Sequence, residues 1–142
     1  MSNLAISYAE ILEGTAGVAP QGRDAGEDIG ITFGDRTAFL TDLLGMLAKS
    51  GSRLVSAGLY TADVAIAADR ANVPLVETAG DSPFSGDLAR ALAEVKNDFD
   101  LIYAANPNRV SGAGFSLADL RMLARAVPNG ALIVDEYYYE CS

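Results

Sequence analysis

The sequence predicts an α/β fold, namely a three-layer α/β/α domain with a mostly parallel, doubly wound sheet. Three observations lead to this prediction. Short apolar runs alternate with helical patterns about four times, the links between them are short, and no internal repeat or low-complexity tract interrupts the order. Because parallel strands need crossover connections, this alternation is typical of helices packed on both faces of one sheet.

The first 28 residues are predicted to form a short helix, over residues 4–12, and a glycine-rich connector. The α/β domain is predicted to occupy residues 29–142. Its first strand covers residues 29–33 and ends at Gly34, and Asp35 can cap the helix that follows. That helix has an apolar face at three-to-four spacing, made of Phe39, Leu40, Leu43, Leu44, Met46 and Leu47.

The next two strands are predicted over residues 53–57 and 73–78. Between them, Thr61 can cap a helix that Asn72 closes. Pro74 lies near the start of the second of these strands, and this places the strand at or near a sheet edge. The helix after it directs Leu88, Leu92 and Val95 inward.

The strand predicted over residues 99–104 is apolar enough to be central. Ser116, with Asp119 three residues later, resembles a capping box, and the helix that it begins is predicted to face inward through Leu117, Leu120, Leu123 and Ala124. After Pro128, residues 131–134 form an apolar run with two β-branched members. This run reads as a buried strand that enters the middle of the sheet, with Asp135 at its carboxyl end.

Composition excludes several classes of function. A net charge of −9 argues against nonspecific binding to nucleic acid or to an anionic membrane. The absence of histidine removes the commonest general base and most zinc sites, and without clustered carboxylates no metal site is predicted. No apolar run approaches the ~18 residues that span a bilayer. There is no basic leader-like segment, and Cys141 is the single cysteine, so a reducing, cytoplasmic setting is expected.

Ligands of such sheets bind beyond the carboxyl ends of the strands, so residues 33–37, 58–61, 106–112 and 135–138 should converge. Each group also has a plain structural interpretation. The turn at residues 34–37, where Thr37 could add a hydroxyl, is either a phosphate site at a helix N-terminus or an ordinary cap. Tyr60 either offers a flat face to an aromatic ligand or packs. The loop with Asn108 and Arg109 binds oxyanions or simply turns, and Asp135 faces a ligand or a salt-bridge partner.

Taken together, these motifs resemble the large domain of fold-type I pyridoxal-phosphate enzymes, most closely aminotransferases of the histidinol-phosphate aminotransferase kind. The sequence I-T-F-G-D-R-T at residues 31–37 is similar to the strand, turn and helix that hold the cofactor phosphate in that family. The sequence N-P-N-R-V-S-G at residues 106–112 resembles the family's N-P-N-N-P-T-G loop, and V-D-E-Y-Y-Y-E at residues 134–140 resembles its V-D-E-A-Y-x-E strand end. The resemblance runs from about residue 29 to residue 140.

The resemblance implies an incomplete cofactor-binding domain for pyridoxal 5'-phosphate and an amino-acid-like substrate. It implies that Asp135 pairs with the pyridinium nitrogen, that Tyr60 stacks on the ring and that Tyr138 reaches the phenolic oxygen. The cofactor-binding residues predicted in this way are Gly34, Asp35, Arg36, Tyr60, Asn108, Arg109, Asp135 and Tyr138.

Two departures from the family matter. Arg109 stands where the family has a second asparagine, which changes the reach of that side chain. The two lysines, Lys49 and Lys96, both precede Asp135, whereas the family's Schiff-base lysine follows it. No catalytic residue is therefore predicted in this chain, and a second polypeptide or a second copy is expected to complete the sheet and the site.

Three hypotheses follow. The first is part of an aminotransferase-like enzyme whose lysine comes from another segment or chain. The second is a non-catalytic, degenerate relative that serves as a ligand-binding or dimerisation module. The third is a flavodoxin-like or other doubly wound domain unrelated to this cofactor.

Overall fold

The structure, a computed structural model, describes residues 35–78 and 88–137. Helices and strands alternate along these residues, and each strand is short and apolar. Their order is α1 (Arg36–Leu47), β1 (Leu54–Ser56), α2 (Ala62–Arg70), β2 (Leu75–Glu77), α3 (Leu88–Glu94), β3 (Leu101–Ala105), α4 (Leu117–Ala126) and β4 (Ala131–Asp135).

The four strands form one parallel sheet in the order β2-β1-β3-β4. Val55 of β1 lies beside Ile102 of β3, and Ala105 at the end of β3 lies beside Asp135 at the end of β4. The predicted parallel α/β sheet is thereby confirmed. Its carboxyl edge brings the ends of β1, β3 and β4 together, and this is where the candidate site lies.

Two apolar layers cover the two faces of the sheet, because successive strand residues point to opposite sides. On one face, α1 and α2 place Leu44 and Val64 against Leu101 and Tyr103. On the other face, α3 and α4 pack against Ile102 and its neighbours, with core residues that include Val55, Ala91, Leu123 and Val127. Helices on both faces give the three-layer arrangement that the alternation of elements predicts.

The predicted helix ends are largely confirmed. The Asp35 side chain accepts a hydrogen bond from the Ala38 amide at 2.7 Å, and Ser116 begins α4 with a complete capping box. Asn72, with a φ of 55°, closes α2 in the left-handed region. Thr61 precedes α2 without a capping hydrogen bond, because its hydroxyl accepts from Arg36 instead.

Some predicted core residues are wrong. In α1, Leu40 and Leu44 are buried, whereas Phe39 is 42% and Met46 is 83% exposed. At about 100° per residue, Phe39 and Met46 lie on the side of the helix opposite Leu44, so one sheet cannot cover both sides. In α4, Leu117 and Ala124 are likewise exposed, since they lie about 100–120° around the helix from the buried Leu123.

The position of β4 bears on the prediction that another segment completes the sheet. Within the described residues β4 is an edge strand, paired only with β3, and all five of its residues are half-buried. The sequence predicts a buried strand in the middle of the completed sheet and a partner segment that completes this sheet, so an edge position within the described residues does not contradict the prediction. The apolar character reflects packing on both faces of the strand and carries no information about how many neighbours it has.

Several predictions lie outside the described residues, namely the strand over residues 29–33, the boundary after residue 28, Gly34 and Tyr138. Among the helices that are described, none has the length and apolarity needed to cross a bilayer. Across residues 35–78 and 88–137, the side chains of Asp, Glu and Cys form no group of three that could bind a metal ion.

Candidate functional site

A cavity of about 240 Å³ opens at the carboxyl ends of β1, β3 and β4. Five of the predicted site residues line it, although they come from four separate segments of the chain. They are Arg36, Tyr60, Asn108, Arg109 and Asp135. Asp35 is not among the lining residues. The cavity joins the segments that the strand–helix order predicts to converge.

The Asp135 side chain accepts hydrogen bonds from three donors. Its Oδ2 atom accepts hydrogen bonds from the Tyr103 hydroxyl at 2.5 Å and from the Arg36 guanidinium, while Oδ1 accepts from the Tyr137 amide at 3.1 Å. The side chain is 16% exposed. A carboxylate with these donors is fixed in orientation, and its Oδ2 side is covered by Arg36.

These contacts keep Asp135 ionised. Burial by itself raises the pKa of the Asp135 carboxyl, but the hydrogen bonds from Tyr103 and Arg36 outweigh it and hold the pKa below its ordinary value. Burial, followed by the hydrogen bond to Asp135, raises the pKa of the Tyr103 hydroxyl, so that group stays a neutral donor. Burial opposes the charge of Arg36, yet the hydrogen bond to Asp135 leaves the pKa of the guanidinium raised. The site therefore contains a charged carboxylate beside a charged guanidinium.

Arg36 also contacts the loop after β1. Its Nη1 atom donates to the Thr61 hydroxyl at 3.0 Å and forms an ion pair with Asp63, while Nη2 donates to Tyr103 at 2.7 Å and to Asp135. Arg36 is the first residue of α1, so its side chain starts at the helix N-terminus and extends across the carboxyl edge of the sheet. One guanidinium thus connects the ends of β1, β3 and β4.

Tyr60 and Asn108 also line the cavity. The Tyr60 hydroxyl donates to Glu77 at the end of β2, and burial together with this bond raises the pKa of Tyr60 to about 12. Asn108 is 8% exposed, and its amide donates to the Leu59 carbonyl at 2.6 Å. Because Leu59 precedes Tyr60, this contact ties the loop after β3 to the loop that carries the tyrosine.

The Asn108 side-chain oxygen is also used within its own loop. It accepts hydrogen bonds from the amides of Val110 and Ser111 at 3.0 and 3.2 Å. The neighbouring Arg109 is exposed at the mouth of the cavity. Asn108 therefore shapes the loop, whereas Arg109 is exposed to solvent.

Neither lysine of the chain lies near the cavity. Lys49 precedes β1 and donates from Nζ to the Asn129 carbonyl at 2.6 Å, just before β4 begins. Lys96 precedes β3 and donates from Nζ to the Ala93 carbonyl at 3.0 Å. Both amines are thus at the amino ends of the strands, on the edge of the sheet opposite Asp135.

The sequence did not single out Tyr103 and Asp63 as site residues. Tyr103 is 2% exposed and lies within the strand that the sequence predicts as apolar and central. The available signal was a hydroxyl-bearing side chain two residues before the carboxyl end of a central strand. Asp63 lies in the first turn of α2, where a carboxylate is ordinarily explained by the helix dipole.

Comparison with known proteins supports the family resemblance. No family model matches the chain. Over 78 residues, 54% of this chain, it is 44% identical to histidinol-phosphate aminotransferase of Mycobacterium leprae and 40% identical to that of Mycobacterium ulcerans. The matched segment spans about 20% of the length of these curated relatives.

Solved structures agree at the level of the fold. The pyridoxal-phosphate-bound C-S lyase of Staphylococcus hominis, in complex with L-cycloserine, aligns with a TM-score of 0.61 at 17% identity. This alignment covers 92% of the present chain and 34% of the lyase. The aspartate aminotransferase of Rhizobium meliloti aligns with a TM-score of 0.57 at 18% identity, over 70% of this chain and 26% of that enzyme.

These comparisons support a resemblance to the fold-type I pyridoxal-phosphate-dependent enzymes, in sequence over 54% of the chain and otherwise in fold. The family resemblance predicted from the sequence is confirmed, whereas the individual motifs stay predictions. The segment that matches corresponds to one part of these longer proteins. The roles of individual residues remain predictions.

Proposed function

We propose that this chain forms part of a pyridoxal-phosphate-dependent, aminotransferase-like enzyme. One observation carries the proposal: an ionised carboxylate, Asp135, faces a cavity whose other walls include Tyr60 and Asn108. In this proposal Asp135 holds a proton on the ring nitrogen of the cofactor, and Tyr60 lies against the ring. When bound, pyridoxal phosphate supplies the electron sink for the reaction of an amino-acid-like substrate.

The cavity is large enough for one substituted aromatic ring. An engineered protein cavity of about 150 Å³ binds benzene, and the cavity described here has a volume of about 240 Å³. Its lining combines aromatic side chains with a few polar groups, as small-molecule sites usually do. The residues present therefore fit the cofactor, on the condition that Arg36 leaves the Oδ2 side of Asp135.

Tyr103 has a supporting role in this proposal. Its hydroxyl, held neutral and donating at 2.5 Å, fixes the orientation of the Asp135 carboxylate and helps to keep it charged. A charged and oriented carboxylate favours the protonated form of a ring nitrogen over the neutral form. Gly34, Asp35 and Arg36 are proposed to serve the phosphate group, Asn108 and Arg109 the loop beside the ring, and Tyr138 the phenolic oxygen.

The Schiff-base lysine is proposed to come from another segment or chain. Lys49 and Lys96 are held at the amino edge of the sheet, whereas the proposed cofactor site is at the carboxyl edge. Schiff-base chemistry requires an amine within bonding distance of the cofactor aldehyde. The remainder of a longer protein, a separately encoded subunit or a second copy would supply it, in the cytoplasmic setting that the sequence predicts.

A second candidate is a degenerate relative that binds a ligand or dimerises without catalysis. The guanidinium of Arg36 on Asp135, and Arg109 in place of the family's asparagine, favour this alternative. The enzyme part and a ligand-binding relative both need the cavity. They differ in whether a lysine-bearing partner restores aminotransferase activity.

The test is a calorimetric titration of the full chain with pyridoxine 5'-phosphate, which lacks the aldehyde and so cannot attach covalently to a lysine. We expect wild type to bind and Asp135→Asn to lose at least about tenfold in affinity, the order expected for one charge-assisted hydrogen bond. Asp42→Asn, on the exposed surface of α1, makes the same charge change and should bind as wild type does.

Equal binding by wild type and Asp135→Asn would falsify the proposal. If binding depends on Asp135, the chain is then expressed together with its neighbouring reading frame, and transamination is measured. Activity that requires both polypeptides supports the enzyme part. Ligand binding without activity supports the degenerate relative.

A further inference from the structure

Arg36 occupies the position that a cationic ligand group would take. Its Nη2 atom contacts Asp135 Oδ2 and the Tyr103 hydroxyl, while its Nη1 atom contacts Asp63 and Thr61. The two nitrogens thus have separate sets of partners. The contact with Asp135 can break while the Asp63 ion pair remains.

A protonated ring nitrogen and a guanidinium cannot share Asp135 Oδ2 without bringing two positive charges together. The other carboxylate oxygen already accepts the Tyr137 amide at 3.1 Å. Because the Asp135 side chain is only 16% exposed, there is little accessible space around its carboxylate for both cations. Binding through Asp135 therefore exchanges one cation for another.

The guanidinium that is displaced stays close to the site. Arg36 is the first residue of α1, where the backbone amides of the first turn already favour an anion. A ligand with both a cationic ring and an anionic substituent could pair with Asp135 and with the released guanidinium. A ligand with the ring alone would displace Arg36 from Asp135 without offering it a new anionic partner.

We propose that Arg36 is a displaceable cap on Asp135, and that the cap selects ligands that carry an anionic substituent beside a cationic ring. This inference rests on the proposed function and adds a specificity-determining role for Arg36. The rival interpretation is a permanent structural ion pair that has no effect on ligand choice.

The experiment compares two probes on the full chain, pyridoxine 5'-phosphate and pyridoxine, by calorimetry. In Arg36→Gln the cap and the second anion partner are both removed. Pyridoxine should then bind about tenfold more tightly than it binds wild type, whereas the phosphate ester, which also loses its second anion partner, should bind no more tightly than it binds wild type. The ratio of the two affinities should therefore fall about tenfold or more. Arg121→Gln, on the exposed side of α4, makes the same charge change and should leave the ratio unaltered.

The outcomes separate the cap from the proposed function. If wild type binds both probes through Asp135 and Arg36→Gln leaves their affinity ratio unchanged, the cap is wrong and the proposed function stands. If neither probe binds wild type or any variant, the cap and the proposed function are both wrong.

Arg36→Gln could fail to fold, which its thermal transition followed by circular dichroism would reveal. In that case the nuclear magnetic resonance signals of the ¹⁵N-labelled Arg36 guanidinium in wild type test whether Arg36 is displaced. A change in these signals on addition of pyridoxine 5'-phosphate supports displacement, and unchanged signals at saturation overturn it.

Discussion

Asp100 provides the sharpest test of how this domain is held together, at the edge of the sheet opposite the candidate site. The side chain is 0% exposed, just before β3 begins. Oδ2 accepts from Arg53 Nη2 at 2.7 Å and from the amides of Lys96 and Asn97 at 3.0 and 3.2 Å, and Oδ1 accepts from the Arg53 amide at 3.1 Å. One carboxylate thus joins the starts of β1 and β3 to the end of the α3 segment.

The contribution of Asp100 to the free energy of unfolding follows from the pKa of its carboxyl. Burial by itself raises the pKa of Asp100, but the Arg53 hydrogen bond and the backbone amides outweigh it and lower the pKa from 3.8 to about 2. At ~1.4 kcal/mol for each pH unit, the ionised form contributes about 2 kcal/mol to the free energy of unfolding. Because the folded-state pKa is depressed, this contribution is complete above pH ~4 and is lost as the pH falls through about 2.

Asp100→Asn should therefore lower the free energy of unfolding by about 3 kcal/mol at pH 7, since it also leaves the Arg53 charge unpaired and turns an amide NH₂ towards other donors. Urea unfolding followed by circular dichroism measures this loss at several pH values. The difference from wild type should shrink between pH 4 and pH 2. Asp42→Asn, which changes an exposed carboxylate on α1, should change stability by less than ~0.5 kcal/mol. A loss below ~1 kcal/mol for Asp100→Asn at pH 7, or a loss that does not vary with pH, would refute this reasoning.

Substitutions at three further positions test the packing and the helix cap, each by thermal or urea unfolding of the full chain. Gly45→Ala should stabilise the protein by about 0.5–1 kcal/mol, because Gly45 lies inside α1 and an added Cβ meets nothing within 4 Å; a loss of stability would contradict the described surface of α1. The same change at Gly130 should destabilise strongly, since a Cβ there would overlap the Asp100 carbonyl, and an unchanged melting temperature would show that this close approach is wrong. Ser116→Ala should lower the free energy of unfolding by ~1 kcal/mol through loss of the capping box, whereas Ser116→Asp should retain most of it.

The parallel sheet and its helices were predictable from the sequence because local patterns encode them. Apolar strands bounded by polar loops, and caps such as Asp35 and Ser116, depend on neighbours a few residues away. The sequence also placed Tyr60, Asn108 and Asp135 at one edge of the sheet. All three line the same cavity, because parallel strands all end at that edge.

Other features depend on contacts between residues far apart in the chain, and no local pattern reports them. Asp135 meets Arg36, 99 positions away, and Tyr103, 32 positions away. The exposure of Phe39 and Met46 depends on which side of an apolar helix faces the sheet, and the edge position of β4 depends on which strands pair with it.

The sequence by itself determined the order of elements, the edge of the sheet that carries the site and the family that the chain resembles, because these follow from local periodicity and from short motifs. Only the tertiary structure decided that the Asp135 carboxylate is already paired with a guanidinium and that both lysines lie at the opposite edge. The physical reason is that ion pairing depends on distances of a few ångströms between side chains, and only the packing of distant segments fixes those distances.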